Sequence, residues 1–343
     1  MDAELVDRFD ALRASRRVDV RDGAAVLQVP EARLFAAHTD PDRVRLADDW
    51  KALLESLPNL GTLRFHTDTR LGLHRVDAAI EKVRVGPTSA VLRGDSVDLR
   101  LLLTRWNTAW AVMHDRDGFA ELGIHIHDPH GDPVLRIVQT MRTDRRAMQR
   151  LVGTLRAPQQ NAPLPLTEPP SLPSPPAVAP NLRDALLESW PHLKGMRDFG
   201  TLLRRHGLRR PDAYALVAPV FAQPIAFGTV RDILERSVRS EVPVSIGIGN
   251  RACIQAHRGL VDHVSHPGGW LTIRDPSVFI HLDPRTVDSV WVVRRPGPGG
   301  THIHVELLGP GGDLLGTIRS LRTENQSEDW RWRRIVGAAL NNT

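Results

Sequence analysis

The sequence predicts an α+β protein made of two similar halves, each with helices followed by a mostly antiparallel β-sheet. Trp110 and Trp291 head two similar segments, and the spacing between them defines a repeat offset. The segments end at Asp132 and Asp313, which have the same spacing. The repeat offset also aligns Leu27-Gln-Val-Pro-Glu-Ala32 with Leu208-Arg-Arg-Pro-Asp-Ala213, and Phe9 with Trp190. Separate matches at one long offset indicate a duplicated domain rather than a solenoid.

In each half, helical periodicity precedes the alternation that is typical of strands. In the first half, Leu5–Leu12 and Trp50–Leu57 carry apolar residues at helical spacing. From about Leu60 short alternating runs separated by Gly and Asp predict strands. These runs are Lys82–Val85, Ala90–Leu92, Trp110–Met113 and Leu122–His127.

A proline-rich linker is predicted to separate the halves. Nine prolines fall between residues 158 and 180, a composition typical of a semi-extended, mobile segment. The predicted domains are therefore residues 1–156, a linker over 157–180, and residues 181–343. In the second half, helices are expected over 181–240, strands over Val242–Ile318 and a last helix over Asp329–Leu340. Gly297-Pro-Gly-Gly300 predicts a hairpin turn, not a phosphate-binding loop.

The composition is that of an ordinary globular protein: of 343 residues, 41% are hydrophobic and 25% are charged. Cys253 is the only cysteine, so no internal disulfide can form and a cytoplasmic location is expected. We expect neither a signal peptide nor a membrane span. The net charge of +5 comes mainly from arginine and suits an anionic ligand. No nucleic-acid motif or basic run points to nucleic acid as a partner.

A set of ordered motifs carries a family resemblance. The second half contains Gly249-Asn-Arg-Ala-Cys-Ile-Gln-Ala-His257, Gly269-Trp-Leu271, Asp275-Pro276, His281-Leu282 and Ser289-Val-Trp-Val-Val-Arg-Arg-Pro296. The first half contains Leu60-Gly61, Thr69-Arg70, His74 and Asp98-Leu-Arg-Leu-Leu102. In these motifs the chain resembles the cytoplasmic haemin-degrading factor family, the HemS/ChuS-like haem utilisation and transport proteins. The resemblance covers nearly the whole chain except the linker.

The resemblance implies a function in haem utilisation after import. It implies b-type haem as ligand or substrate in a cleft between the halves, with a haem importer or an electron donor as further partners. Such proteins pass haem on, or open the macrocycle with oxygen and reductant to release iron. The protein then supplies an axial ligand, distal hydrogen bonds and cations for the propionates.

The residues implied by the resemblance are only partly kept. The family's axial histidine corresponds to Arg197, whose guanidinium has no free lone pair for iron. Its distal arginine corresponds to Arg100 and its helix arginine to Arg210. A basic propionate contact is replaced by Asp283, for which nearby Arg285 is a candidate substitute. The pocket tyrosine is replaced by Thr301, and the chain's only tyrosine is Tyr214.

Two histidines are candidate replacements for the lost iron ligand. His74 matches a family histidine and lies close to the repeat position of His257; the alternative is a histidine fixed by hydrogen bonds in a strand. His302 is next to the position of the lost pocket tyrosine. Water is a third candidate ligand.

Other constellations favour structural roles. His125 and His127 share one strand face, as a metal site would require, but solvent-facing histidines are the favoured interpretation. Cys253 is expected to be a buried small residue rather than a nucleophile. Arg204-Arg205 and Arg209-Arg210 fit a solvated helix face, propionate contacts or contacts to phosphates.

Three hypotheses follow. The first is a haem-binding protein with an altered axial site, which carries haem or breaks it down. The second is a non-enzymatic carrier or regulatory protein that holds haem or another anionic tetrapyrrole through arginine–carboxylate contacts without an iron–histidine bond. The third is a metal-binding protein that uses His125 and His127. The sequence determines neither the oligomeric state nor the reaction product.

Overall fold

The computed structural model describes residues 3–15, 18–37, 43–69, 71–116, 119–169, 181–297, 299–321 and 327–341. The chain divides into two compact units. Unit 1 comprises Met1–Asp68, Arg75–Pro170 and Asn250–Ile254. Unit 2 comprises Thr69–His74, Ser171–Gly249 and Gln255–Thr343. Each unit therefore contains a short segment from the other half of the sequence.

The first half of the chain supplies helices α1–α5 and strands β1–β8. The helices are α1 (Ala3–Ser15), α2 (Val20–Leu27), α3 (Glu31–Ala37), α4 (Trp50–Ser56) and α5 (Arg145–Thr154). The strands are β1 (Arg43–Leu46), β2 (Gly61–Thr69), β3 (Gly72–Val85), β4 (Ala90–Gly94), β5 (Val97–Leu101), β6 (Thr108–Arg116), β7 (Phe119–His127) and β8 (Pro133–Thr143).

The second half supplies helices α6–α10 and strands β9–β17. The helices are α6 (Leu182–Ser189), α7 (Met196–His206), α8 (Arg210–Val217), α9 (Phe227–Arg239) and α10 (Trp330–Leu340). The strands are β9 (Ala222–Ile225), β10 (Val244–Gly249), β11 (Cys253–Gly259), β12 (His263–Ser265), β13 (Leu271–Arg274), β14 (Val278–Leu282), β15 (Ser289–Gly297), β16 (Gly300–Leu308) and β17 (Leu314–Ser320).

The two units have the same sheet topology, which confirms the predicted α+β duplication. In unit 1 the antiparallel order is β1-β6-β7-β8-β2. In unit 2 it is β9-β15-β16-β17-β10. The smaller meanders β3-β4-β5 and β12-β13-β14 also correspond. Trp110 on β6 and Trp291 on β15 therefore occupy equivalent strands, as the repeat offset predicts.

Two short strands among the helices were not predicted. β1 pairs with β6, and β9 pairs with β15. Each has four residues, and β9 reads Ala-Gln-Pro-Ile with a proline inside it. Proline occurs in edge strands because such a strand can lack one ladder donor. Their pairing therefore depends on the neighbouring strand rather than on local periodicity.

Aspartates determine where several helices begin. Asp19, Asp49 and Asp144 precede α2, α4 and α5, and each side chain accepts a hydrogen bond from a backbone N–H of the first turn. Asp329 does the same for α10. Such a cap satisfies one of the N–H groups that have no partner within the helix. The last helix therefore starts one residue after the predicted Asp329.

Aromatic residues fill the helix–sheet interfaces. In unit 1, Phe35 of α3 packs on Trp110 with a centroid distance of 5.4 Å. In unit 2, Trp190, Phe199 and Tyr214 form a buried group with Trp291. Such burial contributes the main favourable free energy of each unit.

The predicted linker is described only in its first part. Leu164 and Leu166 pack against the cluster of Phe35 and Trp110, and the Thr167 N–H donates to the Pro129 carbonyl at 2.8 Å. Residues 170–180 lie outside the described residues. The linker therefore stays a prediction.

The glycine-rich segment joins β15 and β16 as a hairpin, with Gly297 opposite Gly300. Gly299 and Gly300 have positive φ, which glycine adopts without steric cost. The predicted hairpin turn is therefore confirmed, although Pro298 lies outside the described residues. Over the described ranges, no helix is long and apolar enough to cross a membrane.

A substitution at Gly72 would test the close packing of two backbone segments in unit 2. Its φ is +144°, and a Cβ at this position would lie 1.9 Å from the His281 carbonyl oxygen. We expect Gly72→Ala to lower the free energy of unfolding by about 2 kcal/mol or more. Urea unfolding followed by tryptophan fluorescence measures the loss.

Gly153 in α5 is the control, because no atom lies within 4 Å of the position its Cβ would take. We expect Gly153→Ala to raise the free energy of unfolding by about 0.5–1 kcal/mol, since alanine favours the helix. A Gly72→Ala variant as stable as the parent would contradict the close backbone contact.

Candidate functional site

Arg197, which occupies the position of the implied axial ligand, lies in the first turn of α7. This helix starts at Met196, directly after Gly195, whose φ is 151°. The backbone N–H of Lys194 donates to the Asp198 carboxylate at 3.0 Å. The side chains of Met196 and Arg197 lie outside the described residues, so the orientation of Arg197 towards a ligand stays a prediction. Phe199, two residues further on, is buried.

Arg210, the implied helix arginine, belongs to a buried charged network in unit 2. Glu306 on β16 is the centre of this network and is 1% exposed. The Arg295 Nη2 lies 2.7 Å from Glu306 Oε1, and the Arg210 Nη1 lies 3.6 Å from Glu306 Oε2. The Tyr214 hydroxyl donates to Glu306 Oε2 at 2.5 Å. One carboxylate thus connects α8 with β15 and β16.

Phe199 connects α7 to the same network. The Arg295 guanidinium carbon lies 4.4 Å from the centroid of the Phe199 ring, and that of Arg210 lies 5.3 Å from it. The Phe199 and Tyr214 rings are stacked at 5.7 Å. A cation over an aromatic face contributes more when both are shielded from water. The helix that carries Arg197 is therefore held against two arginines.

Tyr214 is not a readily ionised residue. Burial, followed by the nearby Glu306 charge, raises the pKa of its hydroxyl. Tyr214 therefore stays protonated at neutral pH, donates to Glu306 and accepts a hydrogen bond from Arg295 Nη2 at 2.6 Å.

Arg295 and Glu306 were missed as site residues by the sequence analysis. Arg295 was used only as part of a family motif. The signal that points to both is a charged residue inside an apolar strand, because Glu306 follows Val305 and precedes Leu307. A buried charge requires a paired partner. The strand register places Arg295 opposite His302 on the hairpin.

Arg100, the implied distal arginine, lies on β5 opposite Val91. Its side chain is 54% exposed, and its Nε lies 4.0 Å from Asp98 Oδ1. Arg93 approaches the other oxygen of Asp98 at 3.9 Å. A pair at this distance and exposure is weak, so Arg100 is available to an anionic ligand.

Arg285, the candidate substitute for a propionate contact, is bound by Asp283. The Arg285 Nε donates to Asp283 Oδ1 at 2.9 Å, and Nη2 donates to Oδ2 at 2.8 Å. These hydrogen bonds hold the pKa of Asp283 below its usual value. Arg285 is 77% exposed, but its charge is balanced by Asp283. Asp283 is the residue for whose negative charge Arg285 was expected to compensate. The role of Arg285 in a ligand site stays a prediction.

His74 is wholly buried in unit 2 and its tautomer is defined. The Nδ1 lies 3.0 Å from the Gln255 carbonyl oxygen, so Nδ1 carries the proton and donates. The Nε2 is buried without a hydrogen-bond partner. Burial, and then the nearby His257, lower the pKa of His74 to about 3. His74 is therefore a neutral imidazole with its Nε2 lone pair unused.

His302 is buried on β16. A Cβ on Gly297 would lie 2.7 Å from the His302 Cδ2, so the imidazole lies over the backbone of the hairpin. Thr301, at the position of the implied pocket tyrosine, is exposed, and its carbonyl oxygen accepts a hydrogen bond from Arg333. The role of His302 as an iron ligand stays a prediction.

His125 and His127 share a strand face as predicted, but the expectation that they face solvent is wrong. Both are buried beside Glu31, with His127 Nε2 at 3.0 Å and His125 Nδ1 at 3.8 Å from Glu31 Oε1. Burial alone would raise the pKa of Glu31, but the hydrogen bonds and charges of both histidines hold it well below its usual value. Across the described part of the chain, no group of three or more His, Cys, Asp and Glu side chains could hold a metal ion.

Cys253 is buried, as expected of a structural cysteine. Burial raises the pKa of its thiol to about 12. The thiol therefore remains protonated and is not a nucleophile at neutral pH.

Glu306 gives a stability prediction for unit 2. Glu306→Gln removes the negative charge but leaves Arg295 and Arg210 in place. Because a buried charge without its partner is costly, we expect the free energy of unfolding to fall by about 3 kcal/mol or more. Asp283→Asn breaks instead a pair whose arginine is 77% exposed, so it should cost far less. Equal losses in urea unfolding would show that the buried network does not stabilise the unit.

His74 gives a pH prediction. Its pKa of about 3 in the folded protein lies below the usual 6.5, so the unfolded chain binds the extra proton between these values. The contribution of neutral His74 is complete above pH 6.5. It decreases towards pH 3 with a slope of at most about 1.4 kcal/mol per pH unit.

We expect His74→Asn to reduce the dependence of the free energy of unfolding on pH in this range. The exposed His192 provides the control, and His192→Asn should leave the slope unchanged. Urea unfolding at a series of pH values measures both slopes. An unchanged slope in His74→Asn would contradict the neutral buried imidazole.

The comparisons with known proteins agree with the observed duplication. The haemin-degrading HemS.ChuX domain model matches twice, over residues 28–155 and 207–338. The hemin transport protein HmuS of Yersinia pestis is 26% identical over 323 residues, which cover 94% of this chain and 92% of HmuS.

Two solved structures are similar over almost the whole chain. Holo-PhuS, a heme-binding protein from Pseudomonas aeruginosa, is 31% identical with a TM-score of 0.90, and the match covers 97% of each chain. ChuS, an E. coli heme oxygenase, is 25% identical with a TM-score of 0.87, and the match covers 98% of this chain and 99% of ChuS. The predicted resemblance is confirmed, and the chain belongs to the haemin-degrading HemS/ChuX family.

Proposed function

We propose that this chain is a cytoplasmic haem-binding protein that acts in haem and iron utilisation with an altered axial-ligand site. It carries haem or participates in the oxidative breakdown that releases iron. The observation that supports haem most directly within the chain is the unused Nε2 lone pair of His74. Family membership supplies the class of ligand.

The chemistry of His74 suits an iron ligand. A ligating histidine usually donates its other ring N–H to a carbonyl or carboxylate, which fixes the ring and its tautomer. His74 makes such a hydrogen bond to Gln255. Because the folded pKa is about 3, the Nε2 needs no deprotonation at neutral pH. Its complete burial means that the surrounding side chains must move before iron reaches it.

Arg197 accounts for the altered site. A guanidinium stays protonated and offers no lone pair to iron, but it forms bidentate hydrogen bonds with carboxylates. We therefore assign Arg197 a contact to the ligand's carboxylates rather than to iron. When bound, haem supplies the iron at which oxygen is activated. Loss of a fixed axial ligand weakens this chemistry more than it weakens binding.

The other proposed haem contacts differ in their availability. Arg100 is exposed and only weakly paired, so its charge can meet a propionate without the loss of a strong contact. Arg210 is shared with Glu306, and Arg285 is bound to Asp283. A propionate must compete with these carboxylates. His302 remains a second candidate iron ligand.

Arg197, at the position of the implied axial histidine, favours one alternative function because a guanidinium cannot bind iron. A non-enzymatic carrier or regulatory protein could hold haem or another anionic tetrapyrrole through carboxylate contacts without an iron–histidine bond. The two functions differ in the spectrum of bound haem, because an iron–imidazole bond shifts the Soret band whereas carboxylate contacts alone shift it little.

A haemin titration of the native protein and of Arg197→His, followed by absorbance, tests the proposal. We expect the native protein to bind one haem, and Arg197→His, which places an imidazole at the implied ligand position, to bind haem at least about tenfold more tightly. Arg205→His, at an exposed position of the same helix, is the control and should bind haem no more tightly than the native protein. Absence of haem binding in both the native protein and Arg197→His would refute the proposal.

His74→Gln identifies the ligand in the native protein. An imidazole-type native spectrum that is lost in His74→Gln supports His74, and one lost only in His302→Gln supports His302. A native spectrum without an imidazole band favours the carrier. Haem loss and iron release with ascorbate as the electron donor then separate breakdown from carriage.

A further inference from the structure

A groove between α9 and α10 of unit 2 has four arginines among its lining residues. The two helices pack together, and the groove between them has a volume of about 390 Å³. The last turn of α9 contributes Arg236 and Arg239, and the start of α10 contributes Arg331 and Arg334. In each helix the two arginines are three residues apart and therefore share a face.

The charges of this groove are only partly balanced. The Nε and Nη2 of Arg331 donate hydrogen bonds to the Asp329 carboxylate, and Arg239 lies 3.8 Å from Glu235. Among the described residues, Arg236 and Arg334 have no carboxylate within ion-pair distance. The Arg236 Nε is buried and has no hydrogen-bond partner. An anion that contacts Arg236 would therefore not have to displace a carboxylate.

An exposed indole borders the arginines. Trp330 is 65% exposed at the first position of α10, although large aromatic side chains are normally buried. Ile335 and Ala338 provide an apolar part of the lining. Aromatic faces stack with flat rings, whereas arginines bind phosphates bidentately. The groove thus combines a surface for a ring with donors for phosphates.

The fold itself does not require this arrangement. At the repeat offset, the equivalent of Arg236 is Glu55 on α4. The equivalent of Arg334 is Arg150, because Arg150-Leu-Val-Gly153 of α5 matches Arg334-Ile-Val-Gly337 of α10. In that alignment an arginine, Arg146, replaces Trp330. The indole and the full set of arginines therefore occur only in the second half.

We propose that the α9–α10 groove binds a nucleotide-type ligand, with its base against Trp330 and two or more phosphates on Arg236 and Arg334. The volume is within the range of small-molecule sites, about 300–1,000 Å³. A concave groove of this size between two helices fits a mononucleotide better than the extended backbone of a nucleic acid. This site shares no residue with the proposed haem site.

Isothermal titration calorimetry of the full chain with ADP, pyrophosphate and adenosine, at about 0.15 M salt, tests the proposal. We expect ADP to bind more tightly than pyrophosphate, and adenosine to bind weakest. Arg236→Gln and Arg334→Gln should each weaken the binding of ADP and pyrophosphate at least about tenfold, because each removes a charged donor to phosphate.

Trp330→Ala separates the contribution of the ring from that of the phosphates. It should weaken ADP binding roughly fivefold or more and leave pyrophosphate binding unchanged. Arg150→Gln, at the exposed equivalent position on α5, is the matched control and should change neither. Circular dichroism verifies that each variant is folded.

Three results would overturn the proposal. The first is no heat of binding with ADP or pyrophosphate at millimolar concentration. The second is unchanged binding in both Arg236→Gln and Arg334→Gln. The third is a single-stranded oligonucleotide that binds far more tightly than ADP and depends on the same arginines, which would assign the groove to nucleic acid.

Discussion

The buried carboxylate of Glu306 is the contact on which the helix–sheet interface of unit 2 depends. It forms ion pairs with Arg295 on its own sheet and with Arg210 on α8. It also accepts a hydrogen bond from the hydroxyl of Tyr214 on α8. Phe199 lies against both arginines and thereby joins α7 to the group. A charge in this position is tolerated only because every neighbour pairs with it. The backbone position of Arg197, on the same helix, is consequently tied to a polar network rather than to apolar packing alone.

Unit 1 also has a polar contact between a helix and its sheet, but there the helix carries the carboxylate and the strand carries its partners. The repeat equivalent of Glu306 is His125, at the same offset that relates Trp291 to Trp110. In unit 1 the strand supplies imidazoles and α3 supplies the carboxylate of Glu31. In unit 2 the strand supplies the carboxylate and α8 supplies the donors. Both interfaces keep a polar connection between a helix and the sheet, which fixes their relative position more specifically than apolar contacts do.

Ion pairs within the chain explain how a protein with the family's fold can differ from the family in the charges that it offers to a ligand. The fold follows the family, whereas the charges available to a ligand depend on local pairs. Asp283 neutralises Arg285, and Glu306 holds Arg210, so two cations at positions implied for haem are engaged within the chain. Arg100 remains the more available one. Family membership therefore fixes the architecture, and the function must be argued from the individual residues.

The sequence by itself determined the duplication, the general succession from helices to strands in each half, the hairpin at Gly297–Gly300 and the family, because these follow from local periodicity and from motif spacing. It did not reveal β1 and β9, whose pairing depends on neighbouring strands. It also placed His125 and His127 in solvent, since their burial depends on Glu31, 96 residues from His127. Only the tertiary structure brought Tyr214 to Glu306 across 92 residues. Such contacts are decided by how helices pack on a sheet, which local sequence patterns do not encode.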